Sequence, residues 1–74
     1  MRGFLFEHSR ADFKAAREPL RTRIAVIAAN RKEAFALAAA LLPMVGLRLL
    51  DEGPDALRTA KGQGVEPGEA KILI

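Results

Sequence analysis

The segment Arg21–Asp51 constrains the fold most, because it has the pattern of a strand, a helix and a second strand. After Arg23, apolar residues occupy both alternating sets of positions in residues 21–29. Successive strand side chains point to opposite sides of a sheet, so a strand that is apolar on both faces belongs in the sheet interior. The pattern therefore predicts a central strand over residues 21–29.

The next part of the segment predicts a helix over residues 31–42. Asn30 is a favoured N-cap residue, and Glu33 places an acid in the first turn, where the helix dipole favours it. Pro43 ends the helix, and residues 45–50 then form a strand before the turn cluster that begins at Asp51. Because the connections are short, we expect the two strands to be parallel, as in a βαβ unit.

Weaker patterns flank this unit. Alternation of Phe4 and Phe6 predicts a strand over residues 3–7, and residues 69–74 read as a last strand. Residues 54–61 suit a short helix, whereas residues 10–18, which follow Ser9 as a possible cap, fit either a helix or a loop. We therefore predict an α/β or α+β domain spanning residues 1–74. It would be a two-layer sandwich, with an approximately four-stranded mixed sheet around one parallel βαβ unit and one or two short extra helices.

The chemical inventory argues against catalysis and metal binding. The 74 residues contain no cysteine and one histidine, and neither phosphate-binding glycine motif, GxGxxG or GxxxxGK[ST], is present. Glu7, His8 and Ser9 have the residue types of a hydrolytic triad, but neighbours on a strand point to opposite faces. We expect no enzyme activity, no metal and no cofactor, with His8 at the surface and a solvated acidic turn at 51–55.

Hydropathy and composition suggest a location. The longest uncharged run, residues 34–47, contains Pro43 and Gly46 and is shorter than the roughly 18 residues of a membrane span. The first residues lack the apolar stretch of a signal peptide. These features predict a soluble, cytoplasmic protein, and the alanine- and arginine-rich composition favours a bacterial source.

The charge is unevenly distributed. Residues 1–32 carry eight basic and three acidic side chains, a balance of +5, whereas residues 33–74 carry four basic and six acidic ones, a balance of −2. The basic half could bind an anion or nucleic acid, with the amino end of the main helix as one candidate position. The candidate residues are Arg21, Arg23, Asn30, Arg31 and Lys32. Phe4 and Phe6 could stack on bases, but burial in the core is the favoured role for these phenylalanines.

The outer face of the main helix carries no charge after Glu33. It consists of Ala36, Ala39 and Ala40, which is unusual because the outer face of a surface helix is normally polar. Either the short flanking helices or a second copy of the chain would cover it, and open edges at the first or last strand offer another route to a dimer. The sequence thus predicts a non-catalytic interaction module that forms a homodimer. A nucleic-acid-binding or regulatory protein that uses the basic half is the alternative, and the sequence leaves open whether a small-molecule ligand binds.

Overall fold

The computed structural model describes residues 1–10 and 20–73. The elements in these ranges, in chain order, are β1 (Arg2–Arg10), β2 (Leu20–Ala28), α1 (Arg31–Ala39), β3 (Leu47–Glu52), α2 (Pro54–Gly62) and β4 (Glu69–Leu73). The helix or loop predicted over residues 10–18 lies outside the described residues, apart from Arg10. Arg10 is the last residue of β1 and so does not begin a helix.

The described strands form one four-stranded sheet in the order β3-β1-β2-β4. Strand β1 pairs antiparallel with β2, where Phe6 lies opposite Ile24, and antiparallel with β3, where Phe6 lies opposite Leu49. Strand β2 also pairs antiparallel with β4, where Val26 lies opposite Ala70. The prediction of a central strand over residues 21–29 is therefore confirmed, with the strand shifted by one residue.

The predicted mixed sheet with a parallel βαβ unit is wrong, because every pair in the described sheet is antiparallel. Strands β2 and β3 do run in the same direction, but β1 lies between them. The reason is the connection after α1. The helix ends at Ala39 instead of residue 42, and residues 40–46 carry the chain past β1 to the sheet edge before β3 begins at Leu47.

One face of the sheet packs against α1. Phe4, Phe6, Ile24 and Val26 are completely buried there, and burying a side chain of this size contributes roughly 1.5–3 kcal/mol. The rings of Phe6 and Phe35 meet edge to face, with their centroids 4.8 Å apart. This confirms that Phe4 and Phe6 belong to the core, and their rings are not available to stack on bases.

The other face packs against α2, so the predicted two-layer sandwich is wrong. Ala25 and Ile27 of β2 point away from α1 and form a second buried cluster with Ala60 and Val65. At Gly3 the α2 backbone lies so close to β1 that an added β-carbon would be 2.0 Å from the Leu57 nitrogen. The described part of the chain thus has a helix on each side of its sheet.

The start of α1 follows the prediction in detail. The Asn30 side chain accepts a hydrogen bond of 2.9 Å from the Glu33 backbone N–H, as expected for an N-cap. Helix α2 begins at Pro54, where the missing N–H of proline costs no helical hydrogen bond. These local signals fix where the helices begin, whereas the strand order depends on contacts between distant residues.

Candidate interaction surfaces

The amino ends of both helices lie at one end of the sheet, where the predicted anion site would be. Arg2 of β1 pairs with Ala28 at the end of β2, and the Gly53 N–H donates to the Gly3 carbonyl at 3.0 Å. Strand β3 also ends here, at Glu52. The start of α1 is therefore close to Glu52, an acid that was predicted to lie in a solvated turn.

Glu52 binds the arginines at this end. Its Oε1 accepts a hydrogen bond from the Arg31 Nε, and its Oε2 lies 3.7 Å from Arg2 Nη1. The Glu52 side chain is 20% exposed and both arginines are well exposed. Of the predicted anion-binding residues at this end, the Asn30 oxygen caps α1 and the Arg31 guanidinium is bound by Glu52. Lys32 makes no ion pair with the described residues.

An open cleft of about 410 Å³ lies beside Glu52. Residues 1–3, residues 52–54 and Leu57 line it. Its charged side chains are those of Arg2 and Glu52, which are paired with each other. The cleft therefore offers mainly apolar surface and no concentration of charge for a polar ligand.

Arg21 and Arg23 lie at the opposite end of β2 from Asn30. In the register with β1, Arg21 pairs with Ser9 and Arg23 with Glu7, whereas Ala28 pairs with Arg2. A strand rises about 3.3 Å per residue, so roughly 25 Å separates Arg21 from the start of α1. The five residues predicted to bind an anion thus form two separate groups.

A second ion pair organises the Arg23 end. Glu7 lies opposite Arg23 on β2 and opposite Arg48 on β3, so the three side chains share the sheet face that α2 also contacts. The Arg48 Nη2 donates to the Glu7 Oε1 at 3.1 Å, and the Glu7 side chain is only 8% exposed. Arg21, Arg23 and Arg48 are all exposed, so this corner of the sheet displays three cations around one buried carboxylate.

His8 is buried, contrary to the expectation that it lies at the surface. It is 7% exposed and sits on the α1 side of β1 between Thr22 and Leu47, where strand pairing encloses it. Its Nε2 has no hydrogen-bond partner in the described structure. Glu7 and His8 point to opposite faces, as strand alternation requires, and so do not form a catalytic pair.

The alanine face of α1 is uncovered in the described structure. Ala36 and Ala40 are exposed and Ala39 is partly buried. Helix α2 does not cover them, because it packs on the other side of the sheet. Apolar exposure continues beyond the helix, where Leu41 is 43%, Met44 55% and Val45 87% exposed.

Of the two strands expected to be open edges, the last strand is an edge of the described sheet and the first is not. The first strand, β1, is an interior strand, so the expectation of an open edge there is wrong, and β3 and β4 are the edges of the described sheet. In β3 the register shifts at Leu50, whereas the β4 pairing is regular from Glu69 to Leu73. A bulge makes an edge strand less able to pair with another strand, so β4 is the edge better suited to such pairing.

No family model, curated protein or solved structure matches this chain. Within residues 1–10 and 20–73, no group of three or more acidic, histidine or cysteine side chains could hold a metal ion, and neither helix has the length and hydrophobicity to cross a membrane.

Proposed function

We propose that this chain is a small, non-catalytic protein-interaction module that binds a second copy of itself. The observation that carries the proposal is the exposed apolar surface at the end of α1 and in the following loop, where Leu41, Met44 and Val45 are exposed next to Ala40. Contiguous apolar patches on soluble monomers are usually small, and larger ones mark interaction sites. Two uncharged exposed alanines on α1 extend this surface along the helix.

The small size of the chain supports the same proposal. A domain of 74 residues buries only about 60% of its unfolded surface, so burial against a second copy adds stability that the chain alone lacks. The described ion pairs, Arg31 with Glu52 and Arg48 with Glu7, lie within one chain, and so they do not compete with contacts made by the apolar surface.

Sedimentation velocity over a micromolar concentration series tests self-association directly. We expect a concentration-dependent shift from a species of 8.0 kDa to one of twice that mass. The matched variants are Leu41→Asp, which places a charge on the exposed apolar surface at the end of α1, and Thr59→Asp, which places one on the exposed part of α2 on the other side of the sheet. Only Leu41→Asp should weaken the association. A chain that stays monomeric throughout the series would contradict the proposal.

A second candidate function is nucleic-acid binding through the corner formed by Arg21, Arg23 and Arg48. The specific observation in its favour is that these exposed arginines share one sheet face around a single carboxylate, a local balance of +2. Each phosphate contact should contribute a slope of about −0.7 to −0.9 in a plot of log affinity against log salt. Fluorescence anisotropy with mixed-sequence DNA and RNA should show binding at low salt that Arg23→Ala weakens more than Arg58→Ala, and undetectable binding at low salt would exclude it.

A further inference from the structure

Strand β4 is the edge of the described sheet best suited to pairing with another strand. It pairs with β2 on one side and with no described strand on the other. An edge strand leaves backbone N–H and C=O groups available to a strand from another chain. The other edge, β3, contains the register shift at Leu50 and ends at the Arg2–Glu52–Arg31 ion pairs.

The side chains of β4 divide by chemistry. Ala70 and Ile72 lie opposite Val26 and Ile24 and so share the face covered by α1, whereas Glu69 and Lys71 lie on the other face. Ile72 is 36% exposed although its neighbours on β2 are buried. The edge therefore presents an apolar side and a side with one acid and one base.

Helix α1 adds an apolar flank above this edge. Phe35 points towards β1, because its ring contacts Phe6. The Leu42 N–H bonds to the Ala38 carbonyl at 3.1 Å, so the helical turn continues just past the end of α1. At 100° per residue, Leu37 and Leu41 then fall on the flank opposite Phe35, and α1 also contacts β4. Leu41 is 43% and Ile72 36% exposed, so apolar side chains just after α1 and on β4 are incompletely covered on this side of the molecule.

From this geometry we propose that β4 pairs antiparallel with β4 of a second copy, centred on Ala70. This inference rests on the proposed self-association and places the interface at the β4 side of α1, where Leu41 is the exposed apolar residue of the surface described above. Centred on Ala70, the pairing places Glu69 of each copy opposite Lys71 of the other, giving two attractive cross-strand pairs. Centred on Lys71, it would instead place the two lysines opposite each other, which is unfavourable.

The pairing extends the sheet across the two copies. The α1 helices then lie side by side on one face, with Leu37, Leu41 and Ile72 of both copies between them. Lys71 already donates to the Gln63 carbonyl at 2.8 Å, and its ammonium has two further donors for Glu69 of the second copy.

The charge pattern allows an exchange experiment with the full chain. Glu69→Lys and Lys71→Glu each convert both attractive pairs into repulsive ones, so each variant alone should dimerise at least about tenfold more weakly than the wild type. In an equimolar mixture, a heterodimer of the two variants regains two attractive pairs. Sedimentation velocity or mass photometry of the mixture should therefore show dimers, within about threefold of the wild-type dissociation constant.

Matched controls change the same charges away from the edge. Lys61→Glu in α2 and Glu66→Lys in the following loop alter exposed residues by the same charge as the test variants. These controls should dimerise like the wild type, and their mixture should gain nothing over each alone. Thermal unfolding of every variant verifies folding, and recovery in the mixture requires folded chains in any case.

The outcomes separate the two proposals. A wild type that remains monomeric overturns both the self-association and the β4 interface. A wild-type dimer that Glu69→Lys and Lys71→Glu leave unchanged, or variants whose mixture dimerises no better than each alone, overturn the β4 interface and leave self-association through another surface. Weak single variants that recover on mixing establish the pairing.

Discussion

Gly3→Ala should strongly destabilise this protein, because the added methyl group would meet the backbone of α2. The β-carbon would lie 2.0 Å from the Leu57 nitrogen, 2.1 Å from the Leu57 Cα and 2.6 Å from the Ala56 carbonyl carbon. Ordinary contacts between carbon atoms are about 3.5–4.0 Å, so the α2 backbone would have to move away by about 1.5 Å. That movement also opens the contacts of Ala60 and Val65 with β2.

The expected magnitude follows from this geometry. Overpacking costs about 1–3 kcal/mol, and we expect the upper end, about 3 kcal/mol, because the obstructing atoms are helix backbone and not the end of a flexible side chain. At about 0.05–0.15 kcal/mol per residue, the whole domain has only about 4–11 kcal/mol of stability for its 74 residues. The melting temperature should fall by about 12–24 °C.

Gly62→Ala is the matched control, since it adds the same methyl group within α2. Nothing lies within 4 Å of its added β-carbon, and the change should be neutral or stabilise by up to about 1 kcal/mol. Thermal and urea unfolding, followed by circular dichroism at one protein concentration, measure both variants. If Gly3→Ala unfolds at the wild-type temperature, or if both variants shift equally, the close packing of α2 on β1 is refuted.

Two further predictions concern single polar contacts. Asn30→Ala removes the acceptor of the Glu33 N–H and should cost about 1 kcal/mol in urea unfolding, whereas Asn30→Ser, which can still cap α1, should retain most of that stability, so an equal loss in both would contradict the capping role. Arg48→Ala leaves the Glu7 carboxylate buried without its guanidinium and should cost about 1–3 kcal/mol. The exposed pair of Arg58 with Asp55, at 3.5 Å, provides the control, and Arg58→Ala should change stability by less than about 0.5 kcal/mol. Similar losses in the two arginine variants would argue against a special role for the arginine that neutralises the buried Glu7 carboxylate.

Local sequence signals predicted the elements well. Asn30 and Pro54 fixed where the helices begin, because capping and the absent proline N–H act within one turn. Apolar residues at both alternating sets of positions within residues 21–29 correctly indicated an interior strand. What they left open was which strands lie beside it, since alternation records burial and not the identity of the neighbour.

The errors have a common physical origin in long-range contacts. The prediction of a parallel unit assumed that a helix reaching residue 42 would return the chain to the strand next to β2, but that position is taken by β1. The ion pairs of Glu52 and of Glu7 with Arg48 were missed for the same reason, because their partners come from elements distant in sequence. The position of Arg48 on the face opposite Leu47 and Leu49 was a usable signal that this side of β3 carries charge.

The position of β1 between β2 and β3 also affects the folding rate of this chain and its tendency to aggregate while it folds. Phe6 pairs with Leu49, so closing the sheet joins residues separated by more than half of the sequence. Contacts of such long range slow folding, because the entropy of the intervening chain is lost before the contacts form. During synthesis, β1 and β2 emerge first, with apolar side chains on both faces. These side chains stay exposed until α1, β3 and α2 have been synthesised and cover them. The stage at which only β1 and β2 have been synthesised is therefore the one at which aggregation or chaperone binding should compete with folding.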